Sequence, residues 1–250
     1  MFSQNGRFEG MGNSSVMLYD FWGVFNNQAG LAKIESPIVG ICYDNGFLVN
    51  ETGTQSLGFV LPTKSGNFNT AISRYGYSLY SENKLALGYS RKINDVISAS
   101  LQFDYIYLHQ SEAYENKGIF IFELGLIAEP VENLFIGVHL LNPTRTKIAE
   151  YQNERAATVM RFGLGYFFAE NVVFTVEAEK NIENKVRMKS GLEYGIISNV
   201  FIRAGIKTNP NQFSLGLGYV FKNISIDISF LSHPSLPISS QASINYQFKK

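Results

Sequence analysis

From Ser36 to the end of the chain, apolar and polar positions alternate with a period of two. In NQFSLGLGYVFK, Phe213, Leu215, Leu217, Tyr219 and Phe221 fall on one face, with Ser214, Gly216, Gly218 and Val220 on the other. NISIDISF repeats the pattern with Ile224, Ile226, Ile228 and Phe230 against Ser225, Asp227 and Ser229. Because successive side chains of a strand point to opposite sides, each run reads as a strand with one apolar face. The pattern predicts fourteen strands, over 36–44, 54–62, 67–78, 84–92, 96–108, 118–129, 133–141, 157–168, 171–180, 185–195, 199–207, 211–222, 223–231 and 239–248.

The connections fall into two sets. KINDV, EPVENL, FAENV, IISNV and FKNIS are short and polar, while the alternate connections include HQSEAYENKG and NPTRTKIAEYQNER. Tight turns at one rim and longer loops at the other are the habit of a transmembrane β-barrel. A hairpin unit also recurs without a fixed period, as in LALGYSRKINDVISASL and FGLGYFFAENVVFTVEA.

Alternation alone does not say whether the apolar face meets a protein core or lipid, so a soluble sandwich or barrel is the competing expectation. Three features favour lipid. Most runs are longer than the five or six residues common in soluble strands and match the roughly 9–11 that cross a membrane. Tyr89, Tyr166, Phe168, Tyr194, Tyr219, Phe221, Tyr246 and Phe248 sit at strand ends beside one rim, as an interfacial aromatic girdle does. The opposite face collects Gly88, Gly125, Gly163, Gly165, Gly191, Gly205, Gly216 and Gly218 with the charged set Arg161, Glu177, Glu179, Arg187, Lys189, Glu193, Arg203 and Lys207. Glycine weakens a strand unless another backbone approaches it, so this face is expected to line a lumen. The charges are expected to pair across strands, with a substrate path as their other possible use. Arg161, Lys189 and Lys207 face the lumen by parity, Arg91 must lie inside or near a rim, and Arg74 is ambiguous because NFNTAISRYGY alternates less cleanly.

Residues 1–35 break the pattern. A fourteen-stranded wall encloses a space too wide for its own side chains to fill, and residues 7–34 are the available filling. The expectation is a hatch segment (1–35) inside a barrel (36–250), with Trp22 and Phe25 filling volume and Asp20, Asn26 and Asn27 meeting charges of the wall. The fold class predicted is all-β, a 14-stranded antiparallel transmembrane β-barrel with an N-terminal hatch in the lumen.

Composition narrows the function. Twenty-one basic residues balance twenty-one acidic ones, which removes the electrostatic footprint of a nucleic-acid binder. Cys42 is the single cysteine and reads as a small buried hydrophobe, so neither a disulfide nor a cysteine-rich metal site is expected, and no cofactor. His109, His139 and His233 are scattered, no hydrolase or phosphate-loop motif is present, and Ser232-His233 reads as a polar surface pair. No enzyme is expected. No apolar run reaches the length of a membrane helix, and Met1–Gln4 is compatible with the remnant of a removed signal peptide or with an unrelated start.

The segment GMGNSSVMLYDFWGVFNNQAGLA resembles the N-terminal hatch signature of the FadL-type outer-membrane barrel superfamily, a Gly-x-Gly run followed by Asp and then Asn-Pro-Ala-Gly-Leu. Gly10, Gly12, Asp20, Asn27, Ala29, Gly30 and Leu31 match, and Gln28 stands where the family has proline, which removes a fixed φ there. The signature is also similar to that of the PorV and PorQ proteins of the Bacteroidetes type IX secretion system. The final INYQF resembles the last strand that barrel-assembly machinery reads. The resemblance implies a bacterial outer-membrane location with both termini periplasmic, contact with outer-membrane lipid, and one of two roles. The first is an accessory or structural subunit of a protein secretion machine, bound to a larger membrane complex. The alternative is a FadL-like transporter of small hydrophobic molecules. Short outer loops leave little material for ligand capture, which favours the first.

Overall fold

A computed structural model describes residues 5–111, 116–148 and 154–249. Met1–Gln4, Lys250 and the loop parts 112–115 and 149–153 lie outside the described residues.

Every predicted strand forms. They are Ile38–Asn45 (β1), Gly53–Pro62 (β2), Asn67–Gly76 (β3), Tyr80–Lys92 (β4), Ile97–Gln110 (β5), Lys117–Val131 (β6) and Leu134–Leu141 (β7), followed by Val159–Ala169 (β8), Val172–Asn181 (β9), Arg187–Ile197 (β10), Val200–Lys207 (β11), Gln212–Phe221 (β12), Ile224–Leu231 (β13) and Ser239–Gln247 (β14). Each pairs antiparallel with its sequence neighbours. β1 and β14 then close the sheet, with Ile38 opposite Gln247 and Asn45 opposite Ser240. The largest shift from the expected bounds is at the start of β4, where Ser81 and Asn83, on the face that carries Leu85 and Leu87, are polar and leave no apolar row to mark the strand.

No helix among the described residues is long and apolar enough to cross a membrane; a β-barrel crosses with its strands. Closure is what makes that possible, because each backbone N–H and C=O of the wall finds its partner on a neighbouring strand. The outward face is a continuous apolar band. Phe213, Leu215 and Leu217 of β12 are exposed, while Ser214 on the same strand is buried and Gly216 and Gly218 sit against Gly10 and Arg203 inside. A soluble barrel would hide such a band.

Turns and loops segregate as expected. The rim that carries the N-terminal end of β1 and the end of β14 has short turns at 132–133, 170–171, 198–199 and 222–223. Asn133 and Lys222 there take φ of 65° and 53°, a region in which asparagine is over-represented. Register shifts at Ala128/Val131, Phe167/Ala169 and Gly195/Ile197 lie at this rim, where bulges bend strands out of the wall. The aromatic girdle stands on the outside beside it, with ring pairs Tyr166–Phe168 at 4.9 Å and Tyr246–Phe248 at 5.0 Å.

The two outward arginines are resolved. Arg74 shares the face of Ile72, two residues from the end of β3, and Arg91 lies one residue from the end of β4. Both reach a rim, where a charge on the lipid face costs about 0–1 kcal/mol. At mid-wall the cost is larger. Leu217 is 60% exposed, between Ile202 and Ile228 in the ladder. Leu217→Arg is expected to lower the unfolding free energy in a bilayer by about 2–4 kcal/mol, measured by denaturant titration in vesicles, whereas Arg74→Leu should leave it within about 1 kcal/mol.

Candidate functional site

Residues 5–34 lie inside the barrel, built from short turns. Asn5 caps a helix, α1 (Gly6–Gly10), by accepting from Phe8 N at 3.0 Å. Two 3₁₀ turns follow, Phe21–Phe25 and Gln28–Lys33. Asp20 opens the first by accepting from Trp22 N at 2.7 Å, and Asn27 opens the second by accepting from Ala29 N at 3.2 Å. A short polar side chain at each position supplies the acceptor that the first turn needs.

Phe8, Met11, Met17, Phe21, Trp22 and Leu31 form a core with Val60, Ala71, Ala86 and Val173 of the wall. Trp22 packs edge-on to Phe21 at 4.9 Å and stacks on Phe25 at 6.3 Å. Ala29 is fully buried. The wall is small where the segment passes. Of the eight glycines expected at the lumen, six (Gly125, Gly163, Gly165, Gly191, Gly205, Gly216) face the segment, while Gly88 faces Asn69 and Gly218 the Arg203 guanidinium; Gly40, Gly58 and Gly137 of the wall face the segment as well. A Cβ on Gly10 would stand 2.9 Å from the Cα of Gly216, so two backbones meet there with no room for a side chain. Gly12 adopts φ of 64°, which favours glycine, and a Cβ there would stand 2.9 Å from the carbonyl oxygen of Ile206.

The charges divide into three clusters. In the first, Arg7 pairs with Asp20 and forks onto Glu193, with Nη2–Oε1 at 2.7 Å and Nε–Oε2 at 2.9 Å. Glu193 also accepts from Arg203 at 2.5 Å, and Arg203 reaches Asp227 at 2.7 Å. Burial opposes the charge on Arg7, but Glu193 and Asp20 outweigh it and hold its pKa above the ordinary value. In the second, Lys189 bridges Glu177 at 2.8 Å and Glu179 at 2.6 Å. Glu177 turns its other oxygen to the backbone N–H of Ser15 (2.9 Å) and Val16 (3.0 Å). Arg187 meets Glu179 at 3.2 Å, and Lys207 approaches Glu9 at 4.0 Å.

The third cluster was not foreseen. Lys84 lies between Asp104 (2.7 Å) and Glu123 (2.6 Å), and Glu123 accepts from Gln28 at 3.0 Å and meets His139 at 2.9 Å. Arg161 joins it, 3.0 Å from His139 Nδ1 and bonded to the Asn26 side chain. Strand parity marks Lys84, Asp104, Glu123 and His139 as inward, but only the cleaner second half of the chain had suggested a charged lumen.

Two expected contacts are corrected. Asp20 meets Arg7 of its own segment, and Arg7 in turn meets Glu193 of the wall. Asn27 donates to the carbonyls of Val16 (2.6 Å), Leu126 (3.3 Å) and Val138 (3.3 Å), not to a charged group. Gln28 does more than leave φ free, since its amide reaches a buried wall carboxylate that proline has no donor to reach.

Beyond the segment, at the rim opposite the termini, the lumen opens into two joined spaces. One is a polar vestibule of about 530 Å³ bordered by Glu9, Asp44, Tyr80, Lys207 and Gln241. The other is an apolar cavity of about 430 Å³ between Ile106, Ile119, Leu141 and Val159 of the wall and Ile148 and Ala156 of the 142–158 loop. Glu82, Glu179 and Arg187 border both. Among the described residues no group of His, Cys, Asp and Glu is arranged to hold a metal ion.

No protein-family model matches the sequence, and no curated protein matches it. Solved structures do. The toluene transporter TbuX of Ralstonia pickettii superposes with a TM-score of 0.79 at 11% identity, over 99% of this chain and 99% of that one. A FadL homologue of Pseudomonas aeruginosa gives 0.70 at 13% identity, over 100% and 99%. The fold is that of the FadL-type barrels. The toluene transporter TodX of Pseudomonas putida gives 0.68 at 11%, over 99% and 98%. At these identities the likeness is one of FadL-type fold, and side-chain chemistry has to be read from this chain.

Two predictions test the packing. Breaking a buried pair leaves its partners charged and alone, so Glu123→Ala is expected to cost about 3–5 kcal/mol of unfolding free energy in detergent, while Arg187→Ala at the vestibule edge costs under about 1 kcal/mol. Gly205→Leu would drive a side chain into the backbone at Met11-Gly12. It should raise single-channel conductance in planar bilayers above that of the wild type, whose lumen the segment fills.

Proposed function

We propose that this chain is a non-enzymatic bacterial outer-membrane barrel that takes up small hydrophobic molecules, with both termini periplasmic and the N-terminal segment closing the lumen as a hatch. The observation that carries this reading is the apolar cavity at the open end of the lumen. Its volume falls in the range of small-molecule sites, and Ile106, Leu108, Ile119, Leu141, Ile148 and Val159 give it a hydrocarbon side, while Glu82, Glu179, Asn181 and Asn184 give it a polar one. Lys185 and Arg187 stand at its edge, where they suit a polar or anionic end of an otherwise apolar ligand. The likeness of fold to TbuX and TodX, both toluene transporters, supports the same class of cargo.

The structure also alters the ground for the other reading. Short outer loops favoured a secretion-machine subunit because they leave little material for capture. The 142–158 loop nevertheless supplies Ile148 and Ala156 to a cavity whose other walls are strands. The type IX-like, PorV-like role has the motif at residues 10–31 behind it and no feature of the fold, so transport takes its place.

Binding of the apolar fluorophore N-phenyl-1-naphthylamine to the detergent-purified barrel tests the proposal. Saturable one-to-one binding is expected, and Ile119→Trp, which fills the cavity, should weaken it by about tenfold or more, the scale of losing apolar pocket contacts. Non-saturable binding that ignores Ile119→Trp, together with co-purification in a large membrane complex, would return the secretion role to first place.

A further inference from the structure

The outer wall carries a polar row at one height that the apolar band does not explain. The ladder places Tyr43 opposite Gln55, Gln55 opposite Arg74, Arg74 opposite Asn83, and Asn83 opposite Tyr107. The five side chains share the outward face of adjacent strands β1 to β5, so neighbours stand about 5 Å apart. Arg74 is exposed, and neither its side chain nor that of Gln55 makes a hydrogen bond or ion pair among the described residues.

One position nearer the termini, the same strands present Ile41, Leu57, Ile72, Leu85 and Tyr105. On the β1 side the polar row runs into Ala242 and then Ile228. The small side chain of Ala242 leaves a groove of about 620 Å³ along the wall, bordered by Ile41, Leu57, Ile72, Ile228 and Ile244, with Arg74 and Gln55 also on its border.

We propose that this groove holds one lipid of the surrounding bilayer with an anionic phosphate headgroup. Arg74 pairs with the phosphate, Gln55 and the tyrosine hydroxyls hydrogen-bond the headgroup, and an acyl chain lies over Ala242 between the isoleucines. The charge selects the occupant. A guanidinium held at the level of the headgroups by a strand, with no protein carboxylate bonded to it, is complementary to a lipid anion, and its planar fork fits phosphate oxygens. A zwitterionic headgroup carries a cation of its own that offsets the pairing, and a second apolar wall would leave the guanidinium unpaired. The site is on the outside of the barrel and does not depend on what the lumen carries.

Native mass spectrometry of the barrel released from detergent, after incubation with equal amounts of dioleoylphosphatidylglycerol and dioleoylphosphatidylcholine, reads the site. One cation near an anionic headgroup is worth about fivefold, so the wild type should retain phosphatidylglycerol about fivefold over phosphatidylcholine, and Arg74→Gln should bring the ratio near one. Ala242→Leu should reduce retention of both lipids, because it fills the acyl groove. Equal retention by the wild type, or a preference that survives Arg74→Gln, would overturn the assignment. So would a loss as complete with Arg91→Gln, since the preference would then be general surface charge. Ile119→Trp separates this site from the lumen: it should leave the lipid ratio unchanged, and its abolition of the ratio would move the lipid inside. Unchanged faster migration of unboiled samples on gels shows that each variant is folded.

Discussion

Everything in this barrel follows from the pairing of β1 with β14. That ladder removes the last sheet edge and so satisfies every strand in a medium that offers no hydrogen bonds. It also fixes the interior as a space that fourteen strands surround and cannot fill. A wall closed in this way must either hold water or be given something to hold. Here it holds residues 5–34 of its own chain, and among the described residues two cavities lie toward the rim with the longer loops.

The filling works because two kinds of match coincide. Backbone fits against backbone where glycine faces glycine, as at Gly10 and Gly216. Charge fits charge through groups contributed from both sides. Glu177 binds Lys189 in the wall and two backbone N–H groups of the segment, Glu193 shares Arg203 of the wall with Arg7 of the segment, and Glu123 gathers Lys84 and His139 with Gln28. Each carboxylate is therefore neutralised by the wall and used by the segment. A buried charge without a partner is costly, so the wall and the segment stabilise one another, and displacing the segment would leave wall carboxylates short of donors. The apolar cavity lies just past this zone, where inward side chains change from charged to aliphatic along β5, β6 and β7.

Much of this was legible in the sequence. Period-two alternation located all fourteen strands, because one face meets lipid and the other does not, and a one-residue slip would invert both. Aromatic residues beside one rim, the two classes of turn and the glycine-rich inner face were visible for the same reason: each is a local response to a fixed external medium. The motif residues Asp20 and Asn27 stood out as well, although their work is to open turns and not to meet the wall's cations. Lys84, Asp104, Glu123 and His139 were missed as a cluster because they come from four strands.

By itself the sequence determined which residues face outward, how many strands there are, and that the first 35 residues had no place among them. Those properties depend on neighbours one or two positions apart along the chain, which is the range over which strand geometry acts. Which inward charges meet, what Gln28 reaches, that loop 142–158 roofs an apolar cavity, and that Tyr43, Gln55, Arg74, Asn83 and Tyr107 stand at one height were decided only by the tertiary structure. Each depends on the register between strands and on the path of a segment across the lumen, and these bring together side chains far apart in the chain, 186 residues in the fork of Arg7 on Glu193 and 197 in the bond from Gln241 to Asp44.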